Sequence, residues 1–124
     1  MRLTGKRVVI AALFSAREPD PARRMASLGA QVSAAGGIVV GEVMQRRGVS
    51  RDARPGGARR LDQPLSPTTL VGTGKARELA DLCAARGADV VVFRNPLSPR
   101  QRDGLGALCR VAVHDAAELG LVGE

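Results

Sequence analysis

The residues best suited to chemistry in this 124-residue chain fall in three short places: Gly72-Thr73-Gly74-Lys75, Arg94-Asn95 and His114-Asp115. A glycine turn opening a helix presents backbone N–H groups and the positive end of a dipole, to which Lys75 adds a full charge. That is the chemistry of an anion site; the same residues serve equally as a turn and cap with Lys75 in solvent. A phosphate-binding P-loop demands more, namely a glycine five residues before the final Gly-Lys and a hydroxyl directly after the Lys. Thr69 and Ala76 stand there instead, so the loop is too short to wrap a β-phosphate and offers nothing to magnesium. His114 is the one histidine. With Asp115 it either touches a ribose or an amine or closes a strand as a local hydrogen-bonded pair. No nucleophile stands beside a base and no metal-ligand cluster is spaced for binding, so catalysis and a metal are not expected.

A second group is cationic. Arg46, Arg47, Arg51, Arg54, Arg59 and Arg60 stand against Asp52 as the one acid in that run, within a stretch from 45 to 67 that also holds Gly48, Pro55, Gly56, Gly57, Pro64 and Pro67. The net charge is +7 and the pI about 11.2. Arginine suits bidentate phosphate contacts, so the stretch reads either as an RNA-binding arm that orders on a phosphate backbone or as a solvated insertion. Base stacking on an aromatic platform has little to work with, since Phe14 and Phe93 are the only aromatics. Cys83 and Cys109 fall on predicted helix faces and read as buried free thiols in a reducing compartment. The apolar run Val8 to Phe14 is too short for a membrane span and reads as a strand. A cytoplasmic protein is expected.

Alternating elements must position these residues. Arg7 to Phe14 reads as a buried strand; Asp20-Pro21 starts a helix carrying Met25, Leu28 and Val32 on one face; Gly36-Gly37 ends it, and Ile38 to Val43 is a second strand. Thr69 to Val71 reads as a short strand that opens a βαβ unit. In that unit Leu79, Leu82 and Cys83 line a helix from Lys75 to Arg86, Gly87 caps it, and Val90 to Phe93 is a buried strand. Ser98-Pro99-Arg100-Gln101 is a helix start, with Leu105 and Leu108 inward and Gly104 and Gly106 weakening the helix. Arg110 to Val113 is the last strand, and Ala116 to Leu121 a short closing helix. The pattern predicts one α/β domain over residues 1–124, a three-layer fold with a mostly parallel sheet of four or five strands and flanking helices. A parallel sheet brings the strand ends to one rim, where Gly72, Thr73, Gly74, Lys75, Arg94, Asn95, His114 and Asp115 could hold a nucleotide phosphate or an RNA backbone.

The wording of several spaced segments, GEVMQRR, LVGTGKARELADL, GADVVVFRNPLSPRQRDGL and VAVHDAAEL, resembles the N-terminal domain of the HflX GTPases. That family is known for ribosome-associated GTPases that act on the large subunit; its N-terminal domain precedes a helical linker and a GTPase domain and is credited with binding ATP. The resemblance rests on Gly41, Glu42, Gln45, Arg46, Arg47, Gly72, Gly74, Lys75, Glu78, Leu79, Leu97, Ser98, Pro99, Gln101 and Asp115. Two departures stand out: Ala116-Ala117 replace an Arg-Thr pair, and His114 replaces an isoleucine. The stretch after Arg47 is also longer than the family pattern. The resemblance implies a stand-alone, non-catalytic module, or a piece of a longer GTPase, that docks on the large ribosomal subunit or another structured RNA. The alternatives are a small domain that binds ATP or GTP, with weak ATP hydrolysis left open, and an interaction or decoy partner of a full-length HflX-type GTPase.

Overall fold

A computed structural model describes residues 2–47 and 66–121. Among these residues four strands and three helices alternate: β1 (Arg7–Phe14), α1 (Pro21–Ala34), β2 (Ile38–Arg46), α2 (Thr73–Arg86), β3 (Val90–Phe93), α3 (Pro99–Cys109) and β4 (Ala112–Asp115). The strands form one sheet in the order β2-β1-β3-β4, parallel throughout. β1 and β3 are central and so need apolar residues on both faces, which is why VVIAALF and VVVF are unbroken and buried. β2 is an edge strand and stays largely half-exposed.

The helices take opposite faces. α2 and α3 cover the face formed by Val9, Ala11, Leu13, Val91, Phe93 and Val113, and α1 with the turn at 116–121 covers Val8, Ile10, Ala12, Phe14, Val90 and Val92. Three of the helix boundaries have a plain local cause. Asp20 accepts from the Arg23 amide ahead of Pro21, Gly87 ends α2 in the left-handed region at φ 59°, and Ser98 and Gln101 form a reciprocal capping box with Pro99 between them. None of the helices is long and apolar enough to cross a membrane, among the described residues.

Several expected elements differ, β2 among them, which runs on past Val43 to Arg46. Thr69 to Val71 is not a strand: the Ser66 hydroxyl accepts from the Thr68 and Thr69 amides, Ser66 bridges Leu70, and Leu70 takes φ 67°. A local hydroxyl turn outcompetes the β-branched composition, and the strand leading into α2 is β2. In α3 the inward residues are Gln101, Leu105 and Cys109, while Leu108 points out at 41% exposure. Ala116 to Leu121 is a pair of turns rather than a helix, with Leu119 and Leu121 amides both returning to the Ala116 carbonyl and Gly120 at φ 73°. β4 also begins two residues later than expected, because Arg110 is the left-handed C-cap of α3.

Candidate phosphate-binding cleft

The chain leaves β1 towards α1 and β2 on one side, whereas β3 lies on the other, so the loops that follow β1 and β3 diverge at their carboxyl ends. This is the switch point at which open parallel sheets form a crevice. A cleft of about 560 Å³ lies there, walled by Phe14, Ser15, Arg17 and Glu18 after β1, by Arg94 and Asn95 after β3, and by Arg47 and Leu70.

Its walls are fixed from beneath. The Asn95 side chain accepts from the Leu13 amide and donates to the Leu13 carbonyl, both at 2.8 Å, and so imitates a further rung between β1 and β3. The Arg94 guanidinium lies 5.4 Å from the centre of the Phe14 ring, within cation–π range. Arg46 donates to the carbonyls of Ala16 and Glu18, bracing the loop after β1. The Glu18 carboxylate accepts from the Asp20 amide and pairs with Arg24 at 2.8 Å. The Asp20 amide, then Arg24 and Arg94, hold that carboxyl below its ordinary range against the opposing effect of burial. Three arginines, Arg17, Arg47 and Arg94, thus line one cleft, and among the described residues its one lining carboxylate, Glu18, is already engaged by Arg24. Arg94 also lines a neighbouring cavity of about 240 Å³ with Arg24, Leu28, Ala116 and Leu121.

The rim predicted from the sequence separates into three places. Arg94 and Asn95 reach the cleft, although the Asn95 amide is spent on the Leu13 backbone. Gly72 to Lys75 sit beyond the end of β2, where the Gly72 amide donates to Gln45 Oε1 at 2.8 Å and Lys75 Nζ lies 3.3 Å from Glu78. His114 and Asp115 belong to a structural knot at the end of β4. Asp115 accepts from the amides of Leu97 and Glu118, and Glu118 lies 3.2 Å from His114 Nδ1 and 3.3 Å from Arg102 Nε. Of the arginines expected to bind RNA, Arg46 braces the loop and Arg47 lies on the cleft wall at 7% exposure. Arg51, Arg54, Arg59 and Arg60 lie outside the described residues.

Ser15, Arg17 and Glu18 escaped the sequence reading. Their signal was their place directly after the most apolar strand, but it acquires meaning only once the strand order is known. Cys83 and Cys109 are both buried and free, on the facing helices α2 and α3. The neighbouring Cys83 thiol, and burial with it, push the Cys109 thiol far above its ordinary value. Among the described residues no group of three His, Cys, Asp or Glu side chains could hold a metal.

The model of the GTP-binding GTPase N-terminal family matches residues 58–121, just over half of the chain. Similar curated proteins are each named GTPase HflX. The protein of Escherichia coli K12 is 45% identical over 53 residues, 43% of this chain and 12% of the relative; that of Treponema denticola is 39% identical over 54 residues, 44% and 14%. The protein of Alkalihalophilus pseudofirmus is 32% identical over 95 residues, 77% of this chain and 19% of the relative. This chain thus spans less than a fifth of the length of the relatives it matches. Taken with the parallel sheet and its helix boundaries, the match places the chain in the GTP-binding GTPase N-terminal family, as an HflX-type N-terminal domain.

Proposed function

We propose that this domain is a non-catalytic docking module that binds a structured RNA, that of the large ribosomal subunit first, through the cleft between the ends of β1 and β3. The observation that carries the reading is the convergence of Arg17, Arg47 and Arg94 on that cleft. Guanidinium groups bind phosphate oxygens in bidentate fashion, and an RNA backbone supplies them in series. The net charge of +7 favours approach to a polyanion over the whole surface. Lys75, Arg46 and the arginines at 51, 54, 59 and 60 are further candidate phosphate contacts in the proposal. Loss of binding with rising salt then follows from counterion release.

The test is co-sedimentation with purified large ribosomal subunits over a salt series. Arg17→Ala and Arg94→Ala should each weaken binding and lower the slope of log affinity against log salt by about one. Binding that is absent at low salt, or a slope unchanged in both variants, would refute the reading. A second reading is favoured by the position of the cleft at the switch point, where α/β sheets hold nucleotides: ATP or GTP bound with its phosphates on the same arginines. Saturable thermal stabilisation by ATP, about 2.7 kcal/mol at a hundredfold excess over Kd, abolished in Arg17→Ala, separates it from the first. Pairing with a full-length HflX-type GTPase is a third role, tested by pull-down after nuclease treatment.

A further inference from the structure

The far edge of the sheet presents a second surface, which meets the cleft wall at Arg46. β2 is nine residues long and, among the described residues, has β1 on one side only. The Arg47 amide donates to the Phe14 carbonyl at 3.0 Å, so by alternation Gln45 and Val43 also turn their backbone groups to β1, and Glu42, Met44 and Arg46 turn theirs outward. Val43 packs against the α2 side of the sheet, which places the Glu42, Met44 and Arg46 side chains in a row on the α1 side. Met44 is 38% exposed. The row contains neither the proline nor the lysine with which edge strands are commonly blunted. One outward group further back is already taken, since Arg86 Nη1 donates to the Val40 carbonyl at 2.8 Å.

We infer that this edge pairs with β2 of a second copy of the chain, antiparallel about a two-fold axis, with Met44 opposite Met44 and Glu42 opposite Arg46 on either side. The register follows from the residues. In it all three outward residues of one strand face all three of the other, and two carboxylate–guanidinium pairs flank the central methionines. A shift that sets Glu42 opposite Met44 brings Arg46 to Val40, whose carbonyl Arg86 occupies. A further shift in that direction sets Glu42 against Glu42, and a shift the other way sets Met44 against Arg46 and breaks both ion pairs. Arg46 is held in place by the Ala16 and Glu18 carbonyls through one nitrogen, and its five-donor fork retains capacity for a carboxylate. The product is one continuous eight-stranded sheet with an isologous interface.

Sedimentation equilibrium over a concentration series tests the inference on the full chain. The mass should rise from 12.9 kDa towards twice that value. Met44→Pro removes an N–H that points away from β1, so the intramolecular ladder keeps its bonds while the dimer is lost. Glu42→Lys sets like charges at both flanks and should raise the dimer dissociation constant by roughly tenfold or more at low salt; it also decides the matter should the proline variant fail to fold. A mass that stays at 12.9 kDa at millimolar concentration, or a dimer equally strong in Glu42→Lys, would overturn the inference.

Discussion

Gly104 offers a test in which two physical effects of opposite sign compete. In the middle of α3, replacing glycine by alanine removes backbone freedom from the unfolded chain and is worth about 1 kcal/mol of added stability by helix propensity alone. The packing opposes this. A Cβ on Gly104 would stand 2.3 Å from the Thr68 carbonyl oxygen and 3.2 Å from its carbon, roughly 1 Å inside ordinary contact. Thr68 is backbone in the turn that the Ser66 hydroxyl closes, with Leu70 at a positive φ directly behind it, so it has no rotamer by which to retreat. Overpacking of this kind costs about 1–3 kcal/mol, and contact between two backbones belongs at the upper end. The net expectation for Gly104→Ala is a loss of about 1–2 kcal/mol, a fall in Tm of several degrees for a domain of this size. Gly106 is the internal control. It lies in the same helix, and its Cβ would meet nothing closer than the Val111 carbonyl at 3.7 Å, so Gly106→Ala should gain about 0.5–1 kcal/mol. Urea unfolding of the two variants beside the parent gives both numbers. Equal stabilisation by the two alanines would show that the turn at 66–70 does not rest on α3.

Three other outcomes are expected. Asn95→Ala leaves the Leu13 amide and carbonyl without their side-chain partner and should cost about 1–3 kcal/mol in urea unfolding, with hydrogen exchange quickening at Leu13. Burial raises the Glu118 carboxyl, but the Asp115 amide, His114 and Arg102 outweigh it and hold the folded-state value below 4.5. Because the folded value is the lower, the contribution is present above about pH 4.5 and is lost as pH falls through the folded value; Glu118→Gln should flatten this acid limb of the stability curve. The buried thiols of Cys83 and Cys109 should resist alkylation in the native state and react on unfolding, so rapid native labelling of Cys109 would contradict its burial and its raised value.

The parts of the fold that were legible in the sequence are those whose cause is local. Ser98, Pro99 and Gln101 settle a helix start among themselves, Gly87 settles a helix end, and Val90 to Phe93 can be nothing but a covered strand. The inward face of α3 was only half legible, because Leu105 needs just the helical period whereas the choice between Leu108 and Cys109 depends on the neighbours. α3 packs against α2 on one flank and the short β4 beneath it, so its buried stripe is narrow and leaves Leu108 in solvent. Thr69 to Val71 misled for a similar reason: its residues favour a strand, but the central strands β1 and β3 are paired on both sides without them and Ser66 supplies a local closure.

The site follows the same rule at larger scale. A glycine turn opening a helix drew attention to Gly72-Thr73-Gly74-Lys75, yet Gln45 takes the Gly72 amide and Glu78 lies beside Lys75. Three arginines far apart in the chain, Arg17, Arg47 and Arg94, line one cleft because β3 pairs with β1 on the side opposite β2. That strand order makes the loops after β1 and β3 part, and any anion bound there is bound by arginines that no spacing motif connects. Charge-preserving exchange is therefore informative: Arg94→Lys keeps the charge but gives up the planar fork and weakens the stacking on Phe14. If phosphate is held in bidentate fashion in this cleft, Arg94→Lys should lose most of the RNA affinity that Arg94→Ala loses, whereas a purely electrostatic surface would tolerate it.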